Sequence, residues 1–333
     1  MIQQGLYEQI INKLISSKLN DLDRNAFYIN ETAIDKDEAA GILSQYLCDV
    51  IRFALNLISG DGKIEKQIEL SNKIIILLRD ELNNEEFDED LITTEARILS
   101  AIFSRIDPGF SDLKKHLKEI TPYTGLSQSE LFTGNNAGIS LESEIKKEIL
   151  SSDRINFIVS FIKWTGIRIF ENELLKFTER GGQLRVITTS YMGATDFKAV
   201  EFLSDLRNTE IKVSYNSNNE RLHAKAYLFC RNTGFHTGYI GSSNISRSAL
   251  TNGLEWNLKV TTKEVGHIID KFQKTFDTYW QDKEFELFNK THHSGRLRDA
   301  IKREQTTERN NPSVYFDIKP YPYQEEILEK LEA

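Results

Sequence analysis

His223 and Lys225 stand two residues apart in RLHAKAYLF, a run whose apolar residues alternate as they do along a strand. A second apolar pair, Tyr239-Ile240, leads into Gly241-Ser242-Ser243-Asn244, and Glu255 follows eleven residues after Asn244. A nucleophile, a cation, hydroxyl and amide donors and a carboxylate are therefore offered by neighbouring segments. These types suit a phosphodiester, whose negative charge repels nucleophiles until its non-bridging oxygens are neutralised. Lys225 supplies a point charge, while Asn244, Ser242 and Ser243 supply small polar groups for binding the phosphate. The His223 imidazole is nucleophilic near neutral pH, and a second imidazolium can protonate the leaving oxygen. Glu255 can hold the ring in one tautomer and stabilise its charged form.

These residues need a scaffold, and the text from 154 onward supplies one. Apolar runs at 154–162, 183–188 and 210–214 predict strands, separated by amphipathic helices over 167–180 and 196–207. That alternation predicts an α/β fold with a largely parallel sheet flanked by helices, whose sites gather at strand ends. Strands over 222–229, 237–241 and 254–261 extend the sheet, and a helix over 265–279 closes it. Upstream, residues 1–122 predict an all-helical domain: Leu43, Leu47, Val50, Ala54 and Leu57 recur at helical spacing, and Gly60-Asp61-Gly62 is a break. The loop-like stretch 123–140 opens a second domain that runs to 290. Residues 291–333 read as a linker or loosely held helix leading to the start of something further.

Charge divides in the same way. The chain of 333 residues carries a net charge of −8, and residues 1–122 hold 14 Lys+Arg against 22 Asp+Glu, the whole of that imbalance. The remaining residues are balanced, which leaves the second domain free to present a basic groove. The acidic run from Asp80 to Asp90 reads as a solvated helix end. Cys48 and Cys230 read as reduced thiols in a cytoplasmic protein, because no signal peptide or membrane-spanning run occurs. His292-His293 lacks a further ligand at metal spacing and reads as a surface pair, and His236 as a loop position. No cluster of carboxylates offers to carry two metal ions.

His223-x-Lys225 followed by Gly241-Ser242-Ser243-Asn244 and Glu255 resembles the signature of the phospholipase D superfamily, over roughly 150 residues. The departure is Cys230, where that signature places an Asp that is chiefly structural in members carrying it. The resemblance implies a metal-independent phosphodiesterase with no cofactor, working through a covalent phosphohistidine with His223, Lys225, Asn244 and Glu255 as catalytic residues. It further implies two histidines per site; apart from His223 only His116 is followed two on by Lys, at Lys118, within the helical stretch and with no Gly-Ser-x-Asn between it and His223, while His236, His267, His292 and His293 are not. A homodimer sharing one composite site is the expectation.

The segment Pro320-Tyr321-Pro322-Tyr323-Gln324 resembles the Tyr-Gln element that precedes the first nucleotide-binding motif of superfamily 2 helicases, and no G-x-x-x-x-G-K-[ST] follows. Together the two resemblances point to the front of a bacterial DEAD/DEAH-box helicase with an N-terminal nuclease, of restriction or phage-defence type. DNA would be its partner, with ATP used only by the absent motor. Two other classes stay open. One is a catalytically degenerate module, reported by Cys230, that binds nucleic acid or a partner protein. The other is phospholipid hydrolysis, disfavoured because no basic amphipathic helix or lipidation motif is present.

Overall fold

The computed structural model of the chain describes residues 3–103, 112–134, 138–215 and 222–310. Packing separates two units, Met1–Ile102 and Phe103–Ala333. The first is built from α1 (Lys13–Asn20), α2 (Ala39–Leu57) and α3 (Lys63–Leu82), followed by a 3-10 turn, Glu85–Asp90. Asn12 caps α1 by accepting from the Ile15 N–H, and Gly62 enters α3 in the left-handed region at φ 71°.

The second unit opens with α4 (Leu113–Ile120), β1 (Glu130–Phe132) and α5 (Leu141–Ser151). It continues through β2 (Arg154–Val159), α6 (Trp164–Ile167), α7 (Glu171–Glu179), β3 (Gln183–Thr189), α8 (Phe197–Asp205) and β4 (Thr209–Ser214). The hairpin of β5 (Lys225–Cys230) and β6 (Thr237–Gly241) comes next, then β7 (Asn257–Thr261) and α9 (Thr262–Gln281). The last elements are β8 (Phe285–Leu287) and α10 (Lys290–Asn310).

The eight strands form one sheet in the order β1-β7-β6-β5-β2-β3-β4-β8. The α/β class with helices on the sheet is as the sequence predicts, but the sheet is mixed rather than largely parallel. Only β2/β3 and β3/β4 run parallel, each joined by a helical crossover. β5, β6 and β7 pair antiparallel because their connections are a short turn and a loop, with no helix long enough to carry the chain back.

Alternation along the strands sorts the core into two layers. Ile155, Phe157, Val159, Tyr227 and Phe229 face α5, α7, α8 and α10. Ile158, Ala226, Leu228 and Cys230 face the apolar side of α9, where Ile269, Phe272 and Phe276 are buried.

Two predicted boundaries move. Residues 113–120, grouped with the N-terminal domain from sequence, belong to the second unit, where the Lys147 ammonium donates to the Lys118 and Glu119 carbonyls. Residues 290–310 are no linker: Leu297, Ala300 and Ile301 of α10 are buried, and the Gln305 amide donates to the Gly193 carbonyl. Residues 311–333, with the Tyr-Gln segment, lie outside the described residues. Among the described residues no helix is long and apolar enough to cross a membrane.

Candidate active site

Strand register brings the predicted residues to one end of the sheet. Val159 of β2 lies beside Lys225 of β5, Ala226 beside Ile240 of β6, and Gly241 beside Asn257 of β7. His223 stands two residues before that row, Asn244 three residues after Gly241, and Glu255 two before Asn257. Four segments distant in sequence thus meet at one pole, next to the carboxyl end of β2. The sequence places His223 on a strand; β5 begins at Lys225, and His223 is exposed on the segment leading into it.

Lys225 is 8% exposed, and its ammonium lies 3.0 and 3.1 Å from the two ring nitrogens of His223 and 2.8 Å from the His223 carbonyl, to which it donates. Burial lowers its pKa and the nearby Glu255 carboxylate pulls it back up.

Asn244 is 6% exposed and accepts through Oδ1 from the Phe161 N–H at 3.2 Å, which leaves its two N–H donors for an anionic oxygen. The loop bearing it is bonded to the carboxyl end of β2: the Lys163 N–H donates to the Ile245 carbonyl at 2.8 Å, and Ile162 bridges to Ile245. Gly166 of α6 passes so close that a Cβ there would stand 2.5 Å from the Ile245 carbonyl group.

Ser242 and Ser243, both expected to bind phosphate, separate. Ser242 is exposed, with its N–H donating to the Trp256 carbonyl at 3.0 Å, and its hydroxyl accepts from the Trp256 N–H at 3.1 Å. Ser243 is fully buried and turned inward. Its hydroxyl accepts from the Asn257 amide at 2.8 Å and donates to the Ala249 carbonyl at 3.3 Å, so it braces the loop instead of facing a ligand. Tyr227 adds a second brace, its hydroxyl donating to the Ser243 carbonyl at 2.6 Å. Burial and the Glu255 charge both raise the Tyr227 pKa, so its proton stays in place. Sequence reasoning misses Tyr227 and Asn257; their position two residues beyond Lys225 and Glu255, which for Tyr227 is the same face of β5, is the available signal.

Glu255 is half-buried and lines a cleft of about 420 Å³ with Glu130, Phe132, Gly134, Ser140 and Thr251. Two cation–ring pairs lie near the Asn244 loop in the chain of bonds: Trp164 follows Lys163, which is bonded to Ile245, and the Trp164 N–H donates to Asp196, next to Phe197. Lys198 lies 4.2 Å over the Trp164 ring and Arg298 4.1 Å over Phe197.

His236 lies at the opposite pole, in the β5–β6 turn. Its Nδ1 accepts from the Arg231 N–H, and burial with the charges of Arg154 and Arg231 lowers its pKa. Cys230 is buried at that same far end. Burial raises its thiol pKa, against the pull of the guanidiniums of Arg154, Arg185 and Arg231. Among the described residues no three His, Cys, Asp or Glu side chains converge as a metal site.

Residues 145–280 match the family model described as cardiolipin synthase, PLD-like domain. No curated protein sequence matches the chain. Among solved structures, NucT from Helicobacter pylori is 16% identical, with 48% of this chain and 99% of that one covered at a TM-score of 0.38. Nuc from Salmonella typhimurium, a phospholipase D family member, is 15% identical, with 49% and 99% covered at a TM-score of 0.37. The phosphatidylserine synthase of Haemophilus influenzae is 8% identical, with 55% and 46% covered at a TM-score of 0.37.

Proposed function

Starting from a phospholipase D-like domain over residues 145–280, we propose that the chain is a metal-independent DNA nuclease acting through a covalent phosphohistidine. The observation that carries this reading is the meeting of His223, Lys225, Asn244 and Glu255 at one pole. Lys225 and the Asn244 amide would take the non-bridging oxygens of a phosphodiester. A His223 ring nitrogen then attacks phosphorus and forms an N–P bond as the P–O bond to the leaving strand breaks. The leaving oxygen takes a proton from an imidazolium on the other side of the phosphate. Water, giving its proton back to that second imidazole, hydrolyses the N–P bond and frees His223.

We take the second imidazole from another copy, because the one other His-x-Lys of the sequence, His116-Leu117-Lys118, lies on α4 near Arg180, which donates to the Ser152 carbonyl at the start of β2, the end away from Lys225. Hence the proposal includes a homodimer with His223 of both copies in one site. The Lys198/Trp164 and Arg298/Phe197 pairs favour nucleic acid, whose phosphates seek cations and whose bases stack on rings. The front-end role in a superfamily 2 helicase of restriction or phage-defence type belongs to the same proposal. It rests on residues 320–324 and on no structural observation.

The alternative, a module that binds nucleic acid or a partner without cleaving, has Cys230 in its favour. Cleavage of single- and double-stranded DNA in EDTA by wild type and His223→Ala decides between them. Activity in wild type only, with labelled DNA trapped on His223, is the expected result. Equal cleavage by both proteins, or none by either, would reject the nuclease.

A further inference from the structure

We propose that α2 is a self-association helix, which docks on α2 of a second copy and holds the dimer together. Between residues 3 and 102 no residue is buried. A unit of this size without a core does not hold its helices in water, because helical stability comes mostly from packing an apolar face.

The demand is sharpest at α2. Its nineteen residues carry two charges, Asp49 and Arg52, and these pair with each other at 3.0 Å. Leu43, Leu47, Val50 and Leu57 are 45–66% exposed, and with the smaller Ala54 they recur at alternating steps of four and three. That is the seam spacing of a helix packing lengthwise on another helix. Phe53, 66% exposed, widens the stripe. In α3, Ile64, Ile68, Ile75, Leu78 and Leu82 fall on a stripe of the same kind, so two copies of the α2–α3 segment have the makings of a four-helix bundle.

Three observations select a second copy as the occupant. The exposed apolar side chains of α2 and α3 leave on the order of 900 Å² per copy, close to the roughly 800 Å² per partner of a standard stable interface. Nucleic acid does not fit: residues 1–102 hold 10 Lys+Arg against 19 Asp+Glu. Self-pairing meets no such barrier along the seam, since α2 is neutral and α3 carries four charges of each sign. Finally, resting on the proposed function, the shared site requires two copies and so sets the unit's stoichiometry.

The experiment is light scattering on the full chain across a concentration series, for wild type, the double variant Leu47→Glu/Val50→Glu, and Leu258→Glu on the exposed face of β7. Wild type and Leu258→Glu are expected at twice the 38.4 kDa chain mass, the double variant at once that mass. Hydrogen exchange on wild type guards against a misfolded variant. Amides of α2 should gain protection as concentration rises through dissociation, while those of α7 do not change. A monomeric wild type, a dimeric double variant, a monomeric Leu258→Glu beside it, or α2 exchange independent of concentration overturns the proposal. The two ideas fail separately. A monomeric double variant that cleaves at the wild-type rate refutes the shared site and keeps the α2 dock, whereas a dimeric double variant refutes the dock alone.

Discussion

Gly166→Ala tests whether the site depends on the close approach of α6 to the Asn244 loop. The added Cβ would lie 2.5 Å from the Ile245 carbonyl carbon and oxygen and 2.6 Å from the Ser246 nitrogen, all backbone atoms that no rotamer change can move aside. Ordinary contact needs about 3.5 Å, so the loop or α6 has to yield by about 1 Å. The loop is the member that carries chemistry: Asn244 immediately precedes Ile245, and its Oδ1 accepts from Phe161 of the segment leading into α6. A misplacement of about 1 Å costs on the order of 100-fold in turnover. Overpacking costs about 1–3 kcal/mol of stability as well, so the assay pairs cleavage in EDTA with thermal unfolding. The expected result is a folded protein with turnover down on the order of 100-fold and little change in DNA binding. Gly295→Ala, in α10 with open space around it, is the control and keeps full activity. A folded Gly166→Ala protein that cleaves within about two-fold of wild type would show that the Asn244 loop need not be held where it is.

Glu148→Gln should cost roughly 3–5 kcal/mol in thermal or urea unfolding, the usual loss when one partner of a buried ion pair is removed. Its carboxylate is fully buried against Arg231, Lys259 at 3.1 Å, and the hydroxyls of Thr237 at 2.7 Å and Tyr239 at 2.8 Å. The pH sign follows from the same group. Burial pushes its pKa up, yet the charges of Arg231 and Lys259 outweigh that and hold it below the ordinary value. Its contribution is therefore complete above the unfolded pKa of about 4.3 and is lost as pH falls through the lower folded value; the variant should show a flatter acid limb in stability against pH. Glu255→Gln should shift the alkaline limb of the pH–rate profile to lower pH, because Glu255 sustains the Lys225 ammonium against burial. Lys198→Glu with Arg298→Glu should weaken DNA binding and reduce the slope of log affinity against log salt by about 0.7–0.9 for each phosphate that is no longer neutralised, whereas an unchanged slope would remove the two pairs from the binding path.

Residues that meet the sheet from strands are the ones the sequence exposes. β2 to β7 announce themselves as apolar runs, and the His-x-Lys and Gly-Ser-x-Asn spacings survive because each motif lies on one continuous segment. What stays hidden depends on pairing between segments. α5 reads as a charged stretch, LESEIKKEILS, but Glu144, Lys147 and Glu148 are buried because Lys259, Arg231 and two main-chain carbonyls meet them. A charge run looks the same whether water or a partner from residue 259 satisfies it. α10 is masked by its polarity, since only a thin stripe including Leu297, Ala300 and Ile301 is buried. Residue type alone assigns Ser243 to the phosphate, and only the Asn257 and Tyr227 bonds reveal its inward turn. The sheet's direction fails for a related reason: the strand–helix alternation of β2 to β4 does not extend to strands linked without helices.

The same geometry bears on Cys230. It follows Lys225 by five residues along β5, about 16 Å at strand rise, and therefore sits at the pole opposite His223 and Asn244. Its surroundings are guanidiniums, and the Arg154 Nε atom is buried without a hydrogen-bond partner. An Asp there would meet a cation it could hold, which fits the structural part that the family resemblance gives this position. The cysteine leaves the Arg154 Nε donor without a partner, a local cost of about 1–3 kcal/mol, but it removes nothing from the end where Lys225, Asn244 and Glu255 converge. The buried Glu148–Arg231 pair, immediately beside Cys230 in sequence, already ties β5 to α5 at that end. Loss of the carboxylate at 230 therefore weakens the scaffold at a place where a second carboxylate still acts, and the departure from the motif argues about stability rather than about chemistry.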